Sequence, residues 1–396
     1  MTERRIRQVR AFIVRGADAG AGADYHDQAA GHWIDDHIAT PMARYPEYRA
    51  SRRSFGINVL GTLVVEVEAD DGTVGFGVTT GGVPGAWIVE NHLARLVEGQ
   101  PVTALEKLWD QMYSSTVHYG RKGIVLNAIS GIDLALWDLL GHLRQEPVYH
   151  LLGGAVRDEL ACYATGPRPD VARQLGFIGG KLPLHHGPAE GEDGLRRNLA
   201  TLRTMRQAVG DDFWLMLDCW MSLDLDYATR LAYAADEVGL RWIEEPLPAD
   251  DYWAYAELRR RMPARMMLTT GEHESTRWGF RMLLEMGCAD IVQPDVGWCG
   301  GLTELLKISA LADAHGVAVV PHGSSVYSYH FVLTRPNSPY AEFLMMHPDG
   351  TEVVPMMHPL LADEPVPVDG RLRVPDRPGF GVRINPDLAL DRPFRR

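Results

Sequence analysis

Six polar residues close short apolar runs, and their types are those of metal and acid–base chemistry. Asp218 ends "FWLMLD", Glu244 ends "LRWIE", Glu272 lies in "TGEH", Asp295 in "QPD", His322 in "VPHG" and Glu342 in "AEFL". An ionised carboxylate at the end of a buried run is costly unless something positive meets it. Asp218, Glu244 and Glu272 fall on three consecutive runs and would repel one another unless a cation neutralised them. A hard, oxygen-seeking ion does this. Magnesium, which keeps open positions for water or substrate oxygens, fits a three-carboxylate site. Asp295 and His322 form a different kind of pair: a carboxylate on one imidazole nitrogen fixes the tautomer and raises the basicity of the other. His322 is therefore a candidate general base. Taken singly, each acid reads as a helix cap or a surface acid just past a strand, and His322 as a histidine packed at a rim.

The elements that would bring these residues together are legible as texture. After Cys162, short apolar runs alternate with helical stretches, in "FIGGKLP", "FWLMLDCW", "LRWIEEPLP", "ARMMLTTGEH", "ADIVQPDVGWCGG", "VAVVPHGSS" and "AEFLMM". Such alternation predicts repeated βα units and a parallel sheet. The six polar residues are separated by 20 to 28 positions, close to the roughly 30 residues per unit expected when about 250 residues close an eightfold barrel. In a (β/α)8 barrel the C-terminal strand ends surround one mouth, so distant residues converge there. The competing architecture, an open doubly wound sheet, lacks its G-x-G-x-x-G phosphate fingerprint. Before the barrel, "TLVVEVEADDGTVGFG" predicts a hairpin, its period-2 apolar residues flanking Asp71-Gly72, a pair suited to positive φ in a tight turn. "VLNAISGIDLALWDLLGHL" places Ile129, Ile132, Leu136 and Leu139 on one helical face. This first α+β module closes near Gly153-Gly154. The Gly- and Ala-rich "GADAGAGADYHD" suits either a mobile loop over the barrel mouth or a disordered surface loop.

Composition narrows the function classes. At 396 residues with 46% hydrophobic content, the chain predicts one large domain and a smaller one with a sizeable core. A net charge of -13 argues against nucleic acid or anionic membrane as a main partner. "MTERRIRQVRAFIVRG" has basic residues but no continuous apolar core and no small-residue cleavage site, so no secretory signal is expected. No unbroken apolar run approaches the roughly 20 residues that span a bilayer. Cys162, Cys219, Cys288 and Cys299 lie far apart without C-x-x-C spacing, which predicts neither a zinc knuckle nor a disulfide framework. A cytoplasmic location is expected.

The order Asp, Glu in "WIEEP", Glu in "TGEH", Asp in "QPD" and His in "VPHG" resembles the enolase superfamily, in its mandelate-racemase-like branch. The match runs from the N-terminal module to the C-terminus. "DYHDQAAGHWIDDHIATPM", "FWLMLDCWMS", "QPDVGWCGGLTE", "VPHGSSVYS" and "DEPVPVDGRL" are similar to the acid-sugar dehydratases within it. The resemblance implies a modified TIM barrel over 156–350, an α+β capping domain over 1–155 and a C-terminal segment, 351–396, that returns to the cap. It implies Asp218, Glu244 and Glu272 as Mg2+ ligands, His322 as general base and Asp295 as its carboxylate partner. Glu342 matches the acid that stabilises developing negative charge on the substrate. His26 and Arg52, the latter beside Arg53, match capping-loop residues that contact the sugar acid. A homo-oligomer is implied, with an octamer as one form.

The chain departs from the superfamily at one point. Many members carry Lys-x-Lys at the end of the second barrel strand, whereas "GGKLPLHHG" gives Lys181, Leu182 and Pro183, so a second base opposite His322 is not expected. The implied reaction is a dehydration: His322 removes the C2 proton of a sugar acid, with the resulting enediolate stabilised by magnesium, and then assists departure of the C3 hydroxyl. Three carboxylates and one Mg2+ leave about one negative charge, which Arg52, Lys181 and His273 are available to offset. L-rhamnonate is the first candidate substrate, with L-lyxonate, L-mannonate and D-gulonate as others. An epimerase on the same fold and a non-catalytic sugar-acid binder are the alternatives.

Overall fold

The computed structural model describes residues 3–14, 31–51 and 60–395. The N-terminal module is built on an antiparallel sheet of β1 (Ile6–Val14), β2 (Thr62–Ala69) and β3 (Val74–Thr80), with Leu390–Asp391 from the C-terminal segment added beside β1. β2 and β3 form the expected hairpin, in register from Thr62 opposite Thr80 to Glu68 opposite Val74. Its turn differs in detail from the sequence expectation. Gly72 takes the positive φ (86°), while the Asp71 carboxylate accepts the Thr73 N–H at 3.0 Å.

The helix Ile124–Arg144 packs against β3 so closely that a Cβ at Gly75 or Gly77 would lie 2.2 or 2.4 Å from its backbone. Ile129, Ile132, Leu136 and Leu139 are all buried on it. This helix has a mean hydropathy of 1.5, long and apolar enough to cross a bilayer, yet 94% of its most apolar stretch is buried inside the protein. Its apolar run is not unbroken in the sequence, because Asn127, Asp133 and Asp138 interrupt it.

The second part is a curled sheet of eight parallel strands: β4 (Leu160–Thr165), β5 (Gly179–Pro183), β6 (Trp214–Asp218), β7 (Trp242–Glu244), β8 (Met267–Thr270), β9 (Ile291–Val292), β10 (Ala318–Val319) and β11 (Ala341–Leu344). Neighbours follow chain order from β4 to β10, and β11 pairs with the free side of β4. Across the remaining seam, the Val319 N–H donates to the Asn337 carbonyl (3.0 Å) and the Gly323 N–H to Glu342 Oε2 (2.8 Å). Helices such as Gly191–Val209, Leu225–Ala234 and Leu302–Ala314 lie between successive strands. The barrel floor is filled by Tyr163, Met216, Trp242, Ile291, Val320 and Tyr340, all buried. Truncating one of these rings to Ala would cost about 3–5 kcal/mol. The floor therefore fixes the strands whose other ends carry the polar residues.

Candidate active site

Asp218 and Glu244 are the last residues of β6 and β7 and are paired neighbours in the sheet. Glu272 stands two positions past β8, Asp295 three past β9 and His322 three past β10. Glu342 is the second residue of β11, inside the strand rather than at its end, and lies level with Tyr163 of β4. The turns that follow these positions leave ordinary backbone space: φ is positive at Trp220 (48°), Met221 (56°), Glu245 (40°), Thr276 (62°) and Ser325 (53°). Such conformations cost of order 1–3 kcal/mol each and persist only where surrounding bonds impose them. Here the Met221 N–H donates to the Glu245 carbonyl (2.7 Å) and the Thr276 N–H to the Cys299 carbonyl (2.9 Å).

Asp218, Glu244 and Glu272 each present a carboxylate oxygen, and the three oxygens lie within 4.8 Å of one another in buried surroundings. Lys181, fully buried on β5, points its ammonium at this group. It pairs with Glu244, with Glu342 Oε1 at 2.8 Å and with Asp218 Oδ2 at 3.4 Å. Glu244 Oε2 also accepts from Gln293 Nε2 (2.7 Å) and Trp242 Nε1 (3.1 Å). Glu342 accepts from the Thr165 hydroxyl as well as from Gly323.

One lysine cannot neutralise four buried carboxylates, and the proton affinities record this. Burial and neighbouring acids outweigh Lys181 and push Asp218 up to about 6 and Glu244 up to about 7. Glu272 is also raised, first by burial. Glu342 is the exception: burial opposes ionisation, but Lys181 and His322 hold it down at about 2. Lys181 itself is pulled down by burial and raised further by Glu244, Glu342 and Asp218, so it stays an ammonium. A convergent set of hard oxygen donors with surplus negative charge fits a divalent cation such as Mg2+.

His322 Nδ1 lies 2.7 Å from Asp295 Oδ2, while Nε2 lies 3.8 Å from Glu272 Oε2. Asp295 is fixed in turn by the Gly297 N–H (2.6 Å). The Nδ1–H donates to Asp295, which turns Nε2, the nitrogen that gains or releases a proton, toward Glu272. Burial lowers the proton affinity of His322, but Glu272, Asp295 and Glu342 more than reverse this. The Trp298 ring stands 5.4 Å from the imidazole and 5.6 Å from that of His273.

Several residues at this mouth were not singled out from the sequence. Glu245 accepts from His273 Nδ1 (2.7 Å), and with Glu272 it raises that histidine to about 9 against the opposing effect of burial. Gln293 supports Glu244. Both sit inside the motifs already quoted, Glu245 as the second acid of "WIEEP" and Gln293 as the first residue of "QPD". Lys122, on the capping module, reaches Glu274 at 2.9 Å and Asp250 at 2.6 Å across to the barrel loops. His26, Arg52, Arg53 and the stretch "GADAGAGADYHD" lie outside the described residues.

An N-terminal sheet-and-helix cap on a parallel barrel whose strand ends carry this arrangement defines a class. Residues 52–153 match the mandelate racemase / muconate lactonizing enzyme N-terminal domain, and residues 170–388 match the enolase C-terminal domain-like family. The chain belongs to the enolase superfamily, in its mandelate racemase / muconate lactonizing enzyme branch. It is 72% identical over 390 residues to L-rhamnonate dehydratase of Saccharopolyspora erythraea, covering 98% of this chain and 99% of that protein. Rhamnonate dehydratase from Gibberella zeae, solved in complex with Mg, superposes with a TM-score of 0.94 at 48% identity, covering 98% of this chain and 95% of the other. The 3,6-anhydro-D-galactonate cycloisomerase from Zobellia galactanivorans shares 26% identity at a TM-score of 0.76 over 97% of each chain.

Proposed function

We propose that this protein is a magnesium-dependent hydro-lyase that removes the C2 proton and C3 hydroxyl of L-rhamnonate, giving a 2-keto-3-deoxy acid after tautomerisation. The reaction type is carried by the His322–Asp295 pair, whose Nε2 faces Glu272 of the Asp218, Glu244 and Glu272 group; a divalent cation held there would offset the negative charge that raises the imidazole's proton affinity and so free Nε2 to act as a base. The substrate comes from the 72% identity to an L-rhamnonate dehydratase.

Asp218, Glu244 and Glu272 would hold the ion, whose Lewis acidity toward the substrate carboxylate lowers the cost of the charge left by C2 deprotonation. His322 Nε2 accepts the C2 proton, and Asp295 steadies the imidazolium that forms. The same imidazolium then gives a proton to the departing C3 hydroxyl, which leaves as water, so both transfers use one face and the elimination is syn. Glu342, held ionised, anchors the Lys181 ammonium, which offsets negative charge developing on the substrate. His26 and Arg52 are assigned to the sugar acid from the capping module.

The test is a panel of L-rhamnonate, L-lyxonate, L-mannonate and D-gulonate with Mg2+, read by a colour assay for 2-keto-3-deoxy acids. L-rhamnonate is expected to give the highest kcat/KM. A better substrate within the panel would reassign the sugar, an epimer as product would reassign the reaction, and binding without product would leave only a sugar-acid binder.

The same reading extends to organisation. A cap over 1–155, a catalytic barrel over 156–350 and a returning segment over 351–396 are supported by the pairing of Leu390–Asp391 with β1. Trp253 and Trp278, 70% and 50% exposed on barrel helices, support a homo-oligomer; light scattering would size it, an octamer being a form the family resemblance implies. Four buried, free cysteines support a cytoplasmic location.

A further inference from the structure

A second group of ligating side chains lies on the barrel rim, apart from the acid–base site. His37 comes from the N-terminal segment 31–51, His186 from the loop after β5, and Glu190 from the residue just before the helix Gly191–Val209. One ligand atom from each lies within 4.8 Å of the others. His186 Nδ1 is 3.0 Å from Glu190 Oε2, His37 Nε2 is 3.9 Å from Glu190 Oε1, and the two imidazole centroids are 5.2 Å apart.

The surroundings hold this group in place from outside. Arg197 Nη2 donates to Glu190 Oε2 at 3.0 Å, which orients the carboxylate and leaves Oε1 turned to His37. Buried Asn198 clamps the backbone of His186 from both sides, accepting its N–H at 3.1 Å and donating to its carbonyl at 2.7 Å. The His37 segment is fastened to the same loop by the Ala39 N–H on the Leu184 carbonyl (2.8 Å) and by the His185 ring on the His37 carbonyl.

We propose that His37, His186 and Glu190 form a second metal site that takes a divalent transition ion and fastens the N-terminal segment to the barrel rim. Two imidazoles and one carboxylate select Zn2+, Co2+ or Ni2+ over the Mg2+ that suits the all-carboxylate group, because nitrogen donors favour the softer ions. Three protein ligands leave further positions to water. Arg197 is the outer partner that orients the carboxylate.

The experiment uses tag-free protein saturated with Mg2+ and titrated with Zn2+ and, separately, Co2+, with bound metal counted by elemental analysis after dialysis. One transition ion per chain should bind beyond the Mg2+ complement and raise Tm, and Co2+ should develop visible absorption bands. His37→Gln and Glu190→Gln, on different elements, should each weaken this binding by more than tenfold and abolish the Tm increase. Arg197→Ala should weaken it by about ten- to a hundredfold. Absence of an extra equivalent, or one bound equally well by both ligand variants, overturns the site.

Discussion

Buried carboxylates occur in two regions, and they are satisfied in opposite ways. At the seam where the capping module, barrel and C-terminal segment meet, each acid closes backbone donors. Asp138 accepts from the Phe76 N–H (3.0 Å) and the Phe380 N–H (2.9 Å), Asp133 from the Thr303 N–H (2.9 Å), and Glu364 from the Met357 N–H (2.9 Å) and the Ser325 hydroxyl. At the barrel mouth, Asp218, Glu244 and Glu342 surround Lys181, and Glu272 converges on the first two. A lone acid that pairs with fixed N–H groups ties segments together. Convergent acids with too few cations leave an electrostatic deficit that only a ligand removes, and that deficit marks the reacting centre.

The sharpest way to break this distinction is at the base. His322→Asn keeps approximate size and a hydrogen-bonding side chain but cannot accept the C2 proton, so it should lower dehydration by about 10³-fold and abolish C2 deuterium exchange in D2O. Persistent exchange would point to another base, with Lys181 the first to examine.

A matched pair comes next. Glu244→Gln should weaken Mg2+ binding and lower kcat/KM by about a hundredfold, since the ion supplies several kcal/mol of charge stabilisation. Asp138→Asn removes an equally buried charge but should leave Mg2+ affinity untouched, costing instead about 1–3 kcal/mol of stability through the one backbone donor, of Phe76 or Phe380, left facing the amide nitrogen. Calorimetric Mg2+ titration and chemical denaturation of both variants separate the two kinds of carboxylate; equal loss of metal binding in both would erase the contrast. Asp295→Asn belongs between them. It leaves the imidazole in place but removes its orienting charge, and should cost roughly ten- to a hundredfold in kcat, read by steady-state kinetics, with Mg2+ affinity unchanged.

The two regions were not equally legible in the sequence. Asp218, Glu244, Glu272, Asp295 and His322 could be found because each interrupts a hydrophobic run where a barrel strand ends, and barrel closure then gathers them. The depth of Glu342 could not, because β11 begins one residue before it and its level is set by register with β4. In the sequence Lys181 stands out mainly for the lysine missing after it; that its ammonium meets three carboxylates depends on the curl of the sheet. The seam acids gave no signal. Asp138 sits mid-helix, and its donors are 62 and 242 residues away in the chain. The long helix was readable by its periodic face, while its membrane-like hydropathy was masked by the acids that dock it to the rest of the fold.

The smallest effect expected is also the one that separates burial from convergence. Glu364 carries no neighbouring acid of the mouth, yet burial raises it to about 7, against the lowering effect of the Ser325 hydroxyl and the Met357 and Met356 N–H groups. A raised folded-state value means that the folded protein keeps a proton that the unfolded chain releases near its ordinary value of 4.5. The stabilisation is therefore complete below that value, falls as pH rises toward 7, and is gone above it; its size is roughly 3 kcal/mol at most. Glu364→Gln cannot titrate, and its amide can offer the oxygen to the Met357 N–H and the nitrogen to the Ser325 oxygen. The difference in unfolding free energy between the original protein and this variant, measured by denaturant titration at pH 5 and pH 8, should shift by about that amount in favour of the variant at pH 8, with kcat unchanged. A pH-independent difference would mean that Glu364 is already ionised in the folded protein, and that its bonds to Ser325 and Met357 outweigh burial.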